Sequence, residues 1–127
     1  MARKPSSTLT EVEQRLMEVL WRRGKATVAE VLDGLDATPK PAFNTVQTTL
    51  RILEQKGYVG HEEAGRAFAY HPLKDRESVS RAAVQQLVTR FFDGSAGSLA
   101  VNLLADAGLT RDDLARMERM IAEAKRR

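Results

Sequence analysis

At Gly57 the apolar pattern of this chain changes period, and that change bounds what it can fold into. Before Gly57, apolar residues recur every three to four positions, as on a helix buried along one face. After it come two short runs, 58–62 and 67–72, rich in aromatic and strand-favouring residues and joined by Glu63-Ala-Gly-Arg66. Such runs around a glycine-bearing turn predict a hairpin. The helices ahead of it are delimited by their own punctuation. Thr10-Glu-Val-Glu13 is a capping box, followed by Val12, Leu16, Val19 and Leu20 and closed by Arg22-Arg23-Gly24. Thr27-Val-Ala-Glu30 repeats the box and opens a short helix to Leu35 carrying Val28, Val31 and Leu32. Residues 36–40 form a turn, because Pro39 and Pro41 keep the preceding residues out of the helical basin. A third helix runs from Pro41 or Ala42 to Lys56, with Phe43, Val46, Leu50 and Leu53 as its apolar stripe. Residues 1–8 read as a frayed basic arm.

Beyond the hairpin the pattern is helical again. Residues 76–92 carry Val79, Ala83, Leu87, Val88, Phe91 and Phe92 and stop at Asp93-Gly94. Ser98 is placed to cap a helix reaching Ala107, and Gly108 breaks it. Thr110-Arg-Asp-Asp113 is a third capping box, with Leu109 and Leu114 as a hydrophobic staple ahead of Met117 and Ile121. The expected fold is mostly α with a small β-hairpin wing. A winged helix-turn-helix domain spans residues 1–75, and a C-terminal helical dimerisation domain spans residues 76–127.

Composition excludes several classes of function. The chain has no cysteine, so disulfides, cysteine metal sites and thiol nucleophiles are ruled out. Two histidines, His61 and His71, make a poor metal site and read better as polar wing residues. No serine has a His–Asp partner by motif and no glycine-rich phosphate loop occurs, so neither an enzyme nor a cofactor is expected. There is no apolar run of membrane-spanning length and no signal peptide, which predicts a cytoplasmic protein without membrane insertion. The net charge of +3 is only weakly indicative of a polyanion partner.

The third helix is more specific. Opposite its apolar stripe lie Asn44, Thr45, Gln47, Thr48 and Arg51. Asn and Gln pair bidentately with adenine, Arg with guanine, and Thr offers a hydroxyl and a methyl. No Asp or Glu occurs from Ala37 to Leu53, as expected of a surface that approaches phosphates. Asn44, Gln47, Thr48 and Arg51 are therefore assigned to base reading on double-stranded DNA. Thr45, Arg66 at the wing tip, Lys25 and Thr27 are assigned to the backbone. In the C-terminal region Leu87, Val88, Phe91, Phe92, Leu99, Leu103, Leu104, Leu114, Met117 and Ile121 exceed what three short helices bury, and they are assigned to a homodimer interface. The competing reading is a winged-helix adaptor that binds protein rather than specific DNA.

Several segments in this order and spacing resemble the penicillinase-repressor (BlaI/MecI/CopY) family of bacterial transcriptional repressors. They are Leu9-Thr-Glu-Val-Glu13 with Leu20-Trp21, Thr45-Val-Gln-Thr-Thr-Leu50, Leu53-Glu-Gln-Lys-Gly57, Gly65-Arg66 with Tyr70-His-Pro72, Phe92-Asp-Gly94, and Leu109-Thr-Arg-Asp-Asp-Leu114. The resemblance implies a homodimer that represses by occupying a dyad-symmetric operator of a β-lactam-resistance or related stress system. It places Thr45 and Thr48 on the threonines of the recognition helix. The copper-responsive branch carries a C-terminal cysteine motif that this chain lacks. The β-lactam branch is inactivated by cleavage of an Asn–Phe bond, implying a membrane sensor-protease as partner. The matching position is Asn102–Leu103, with Leu in place of Phe.

Overall fold

The computed structural model describes residues 8–106 and 108–127. The expected arm therefore lies outside the described residues except for Thr8, and so does Ala107, the expected last residue of the fifth helix. The elements run α1 (Glu11–Arg23), β1 (Ala26–Thr27), α2 (Val28–Gly34), α3 (Phe43–Gln55), β2 (Val59–Ala64), β3 (Ala67–Pro72), α4 (Arg76–Phe91), α5 (Ala96–Asp106) and α6 (Arg111–Lys125). The chain divides into two compact units, one ending at Ala83 and the other starting at Val84.

All three capping boxes form. The hydroxyls of Thr10, Thr27 and Thr110 accept from the amides of Glu13, Glu30 and Asp113, and each carboxylate accepts from the threonine's own amide. These contacts satisfy amides that a helix start leaves without a partner. Ser98 does not cap α5. Its amide donates to the Ser95 hydroxyl at 3.1 Å, so the helix starts earlier than expected.

In the first unit α1, α2 and α3 enclose a core of Leu16, Met17, Val19, Leu20, Val31, Val46, Leu50 and Leu53, completed by Tyr58, Val59 and Tyr70. Two residues of the expected stripes are not part of it. Val12 is 44% exposed and Phe43 is 47% exposed. On α1 the inward positions are taken by Met17 and by Glu13, both of them buried. Phe43 is the first residue of α3, one turn ahead of Val46, where the buried stripe of that helix begins. The sheet has three strands, in the order β1-β3-β2, all antiparallel. β1 is too short to leave a sequence pattern; its residues Ala26 and Thr27 pair with Tyr70 and Ala69. The hairpin closes through Gly65-Arg66, with Gly65 at φ 65°, where a side chain would be strained.

One buried ion pair spans this unit. Lys56 Nζ lies 2.7 Å from Glu13 Oε1, and both side chains are 5% exposed. The same ammonium donates to the Thr8 carbonyl at 3.0 Å, and the same carboxylate oxygen accepts the Thr10 amide at 2.8 Å. The unit extends into α4 because Trp21 Nε1 donates to the Lys74 carbonyl at 2.9 Å, Arg76 pairs with Glu18 and stacks over Trp21, and Val79 packs on the core. The second unit is thinly packed. Val88 is its sole buried residue among those described, and neither α5 nor α6 buries any.

Replacing Lys56 with Met should cost about 3 kcal/mol in urea unfolding, because it leaves the Glu13 carboxylate buried without its counter-ion. Combining it with Glu13→Gln should recover part of that loss. The capping carboxyls give a pH dependence. Hydrogen bonds from the amide and then the hydroxyl of the capping threonine hold Glu30 and Asp113 below their ordinary values. A depressed carboxyl stabilises the fold above its unfolded value, and that contribution disappears as pH falls through the folded one. Helicity followed by circular dichroism should therefore decline on acidification, and less so in Glu30→Gln/Asp113→Asn.

Candidate nucleic-acid interface

The burial of Val46, Leu50 and Leu53 against α1 sets which side of α3 faces outward. Asn44, Thr45, Thr48 and Arg51 are exposed on it, and Gln47 is half-buried. Phe43, Gln47 and Arg51 succeed one another at intervals of four, one turn apart along a single helix face. They line an open groove of about 280 Å³ whose other wall is the wing, through Arg66, Phe68 and Tyr70. The start of α2, from Thr27 to Ala29, closes one end.

Among the described residues, Asn44, Gln47, Thr48, Arg51 and Arg66 make no side-chain hydrogen bond or ion pair. Their donors and acceptors remain available to a ligand, which suits the roles expected of them. Two residues assigned to the backbone are engaged elsewhere. Thr27 spends its hydroxyl on the Glu30 amide at 3.2 Å as the cap of α2. Lys25 is paired with Glu62 across the base of the wing, and this hydrogen bond and charge hold the Glu62 carboxyl below its usual range. Thr45 contributes its carbonyl to the Thr49 hydroxyl at 2.7 Å and keeps its own side chain exposed.

The wing is fixed to α3 by a second pair. His61 Nδ1 lies 2.6 Å from Glu54 Oε2, and the His61 ring stacks on Phe68 at 4.4 Å between centroids. His61 is thus a wing residue paired with a carboxylate. Tyr70 beneath it is buried, which raises its phenol above the ordinary value, with Glu54 adding to the rise and Arg51 opposing it. Phe43 and Phe68 are the groove residues that sequence reasoning missed. The spacing of Phe43 from Gln47 and Arg51 was the available signal.

The residues assigned to self-association fall into three groups. Leu87, Phe91, Leu103, Leu104, Leu114 and Ile121 are exposed, Phe91 most of all at 67%. Phe92, Leu99 and Met117 are half-buried. Val88 differs from them in being only 9% exposed within the chain, and its carbonyl accepts the Gly94 amide where the chain turns after α4. Val84, Val101 and Met120 are also exposed apolar residues of this unit and were not anticipated. Asn102 and Leu103 are both exposed within α5. Among the described residues no helix is long and apolar enough to cross a membrane, and no cluster of three or more His, Cys, Asp or Glu could hold a metal ion.

Comparison with known proteins agrees with this arrangement. The chain is 27% identical over 119 residues to the penicillinase repressor of Bacillus licheniformis, covering 94% of this chain and 93% of that protein. It is 32% identical over 117 residues to the transcriptional regulator BlaI of Mycobacterium tuberculosis, covering 91% and 83%. The solution structure of the DNA-binding domain of the repressor BlaI superposes with a TM-score of 0.51 at 30% identity, spanning 60% of this chain and 93% of that domain. The penicillinase repressor profile matches residues 9–123, so the chain belongs to the penicillinase repressor family.

Proposed function

We propose that this protein is a homodimeric, sequence-specific transcriptional repressor that occupies a dyad-symmetric operator and blocks its promoter. The observation that carries this reading is the outward face of α3, where Asn44, Gln47, Thr48 and Arg51 stand unengaged beside a wing tipped by Arg66. A helix of this kind enters the major groove, and these side chains match base edges there. Thr45 and Arg66 meet the phosphates. Lys25 and Thr27 support the same surface from the base of the wing and the start of α2.

Self-association through α4, α5 and α6 follows from their packing. A unit of this size with one buried residue among those described cannot hold its shape on internal burial alone, and exposed Leu87, Phe91, Leu103, Leu104, Leu114 and Ile121 supply what a second copy would cover. The dimer then matches two half-sites related by a twofold axis. Membership of the family supports a β-lactam-resistance or related stress system as the regulated target. Release would follow a cut between Asn102 and Leu103 by a membrane sensor-protease. Within one protomer α5 buries no residue and Asn102 is exposed, so a protease that meets the free protomer opens the helix at little cost.

The test is selection from sheared DNA of the source genome at about physiological salt, followed by sequencing of what is retained. A dyad-symmetric site upstream of a gene is the expected product, with affinity falling steeply as salt rises. Retention of nothing above background would favour an adaptor that binds protein. On the recovered site, Arg51→Ala should cost about 1–3 kcal/mol and relax preference at one base pair. An equal loss on all sequences would instead place Arg51 on the backbone. Phe91→Asp should yield monomers in sedimentation and lose most of the affinity for the full site. Unchanged binding would refute the dimer.

A further inference from the structure

Phe43 and Phe68 are each 47% exposed, yet both line the same groove, from opposite walls. Neither ring is needed for the core, which closes on Val46, Leu50, Leu53 and Tyr70. Exposed aromatic surface is unfavourable in water, and a ring left free to move would fold down onto whatever apolar surface lay near it. Phe68 is held out instead. His61 is stacked against it at 4.4 Å and is itself fixed 2.6 Å from Glu54 of α3. Between the rings the lining carries Gln47, Arg51 and Arg66, and no carboxylate. The groove therefore suits a ligand that is anionic at its edges and bears an apolar projection.

Resting on the DNA-binding reading above, we propose that Phe43 and Phe68 are specificity-determining residues that receive the 5-methyl group of thymine. That methyl is the one apolar group projecting from a base pair into the major groove, and contact with it by an apolar side chain discriminates T·A from the other pairs. The geometry gives each neighbour a part. Phe43 sits one turn before Gln47 and two before Arg51, so its ring meets a base next to those that they bond. The arginines hold the flanking phosphate or guanine. The aromatic pair reads a feature of the base pair that hydrogen bonds do not sense.

The test uses the dyad site recovered from genomic DNA, with thymines replaced by uracil one symmetric pair at a time. Uracil lacks only the methyl and keeps every hydrogen-bonding group. At one position in each half-site the substitution should weaken binding roughly fourfold per methyl, or about fifteenfold for the symmetric pair. Phe43→Ala and Phe68→Ala should each lose the distinction between thymine and uracil at that position. Phe43→Leu, which remains apolar, should keep most of it. Thermal melts of each variant separate loss of reading from loss of fold. If the wild-type protein binds every uracil duplex as tightly as the thymine duplex, the proposal fails while the DNA-binding reading stands. Discrimination surviving in either alanine variant overturns the assignment of that ring. A wild-type protein that retains no DNA at all removes both readings together.

Discussion

The buried ion pair between Glu13 and Lys56 joins the start of α1 to the end of α3. Two charges held at 5% exposure tolerate little change in geometry, since either one left alone would pay for its desolvation without compensation. The carboxylate is also half of the α1 capping box, and the ammonium also holds the Thr8 carbonyl. Helix start, helix end and incoming chain are thus secured at one point. Around it Leu16, Leu20, Leu50 and Leu53 belong to one buried apolar cluster, and the pair selects one orientation among those that such side chains would allow.

The outward face of α3 is the consequence. With its inner face committed to α1 and α2, the remaining positions form a row opposite a wing whose own place is set twice. Ala26 and Thr27 pair with β3, and Glu54 holds His61 of β2. The carboxylates of Glu54 and Glu62 are each paired with a neighbouring base, whereas Arg51 and Arg66 stand unpaired among the described residues. The cations left unpaired on this face among the described residues are a local feature, which is why the net charge of the whole chain says so little about it.

Most of the helices could be read in advance because the threonine capping boxes act locally, within four residues, and a helix start needs nothing from the rest of the chain. The acid-free run from Ala37 to Leu53 and the row Asn44, Gln47, Thr48, Arg51 were legible for a similar reason: helical spacing alone puts them on one side. The residues misread were those whose environment depends on where a neighbouring element ends. Phe43 has the period of a core residue yet is exposed at the first position of α3, and Val12 is exposed because the inward face of α1 runs through Glu13 and Met17 instead. Val88 looked like its exposed neighbours, yet it is buried within the chain. Strand β1 was invisible because two residues carry no period.

By itself the sequence determined the helices that open on capping boxes, the hairpin, the polar face of α3 and the family, since each rests on short-range spacing or on the order of motifs. The tertiary structure alone decided that Glu13 is buried against Lys56, that Thr27 and Lys25 are already engaged, and that Phe43 and Phe68 line one groove. The physical reason is distance along the chain. A capping bond spans three residues, but partners such as Glu13 and Lys56, or Phe43 and Phe68, meet only once the helices have packed, and no local pattern records that meeting.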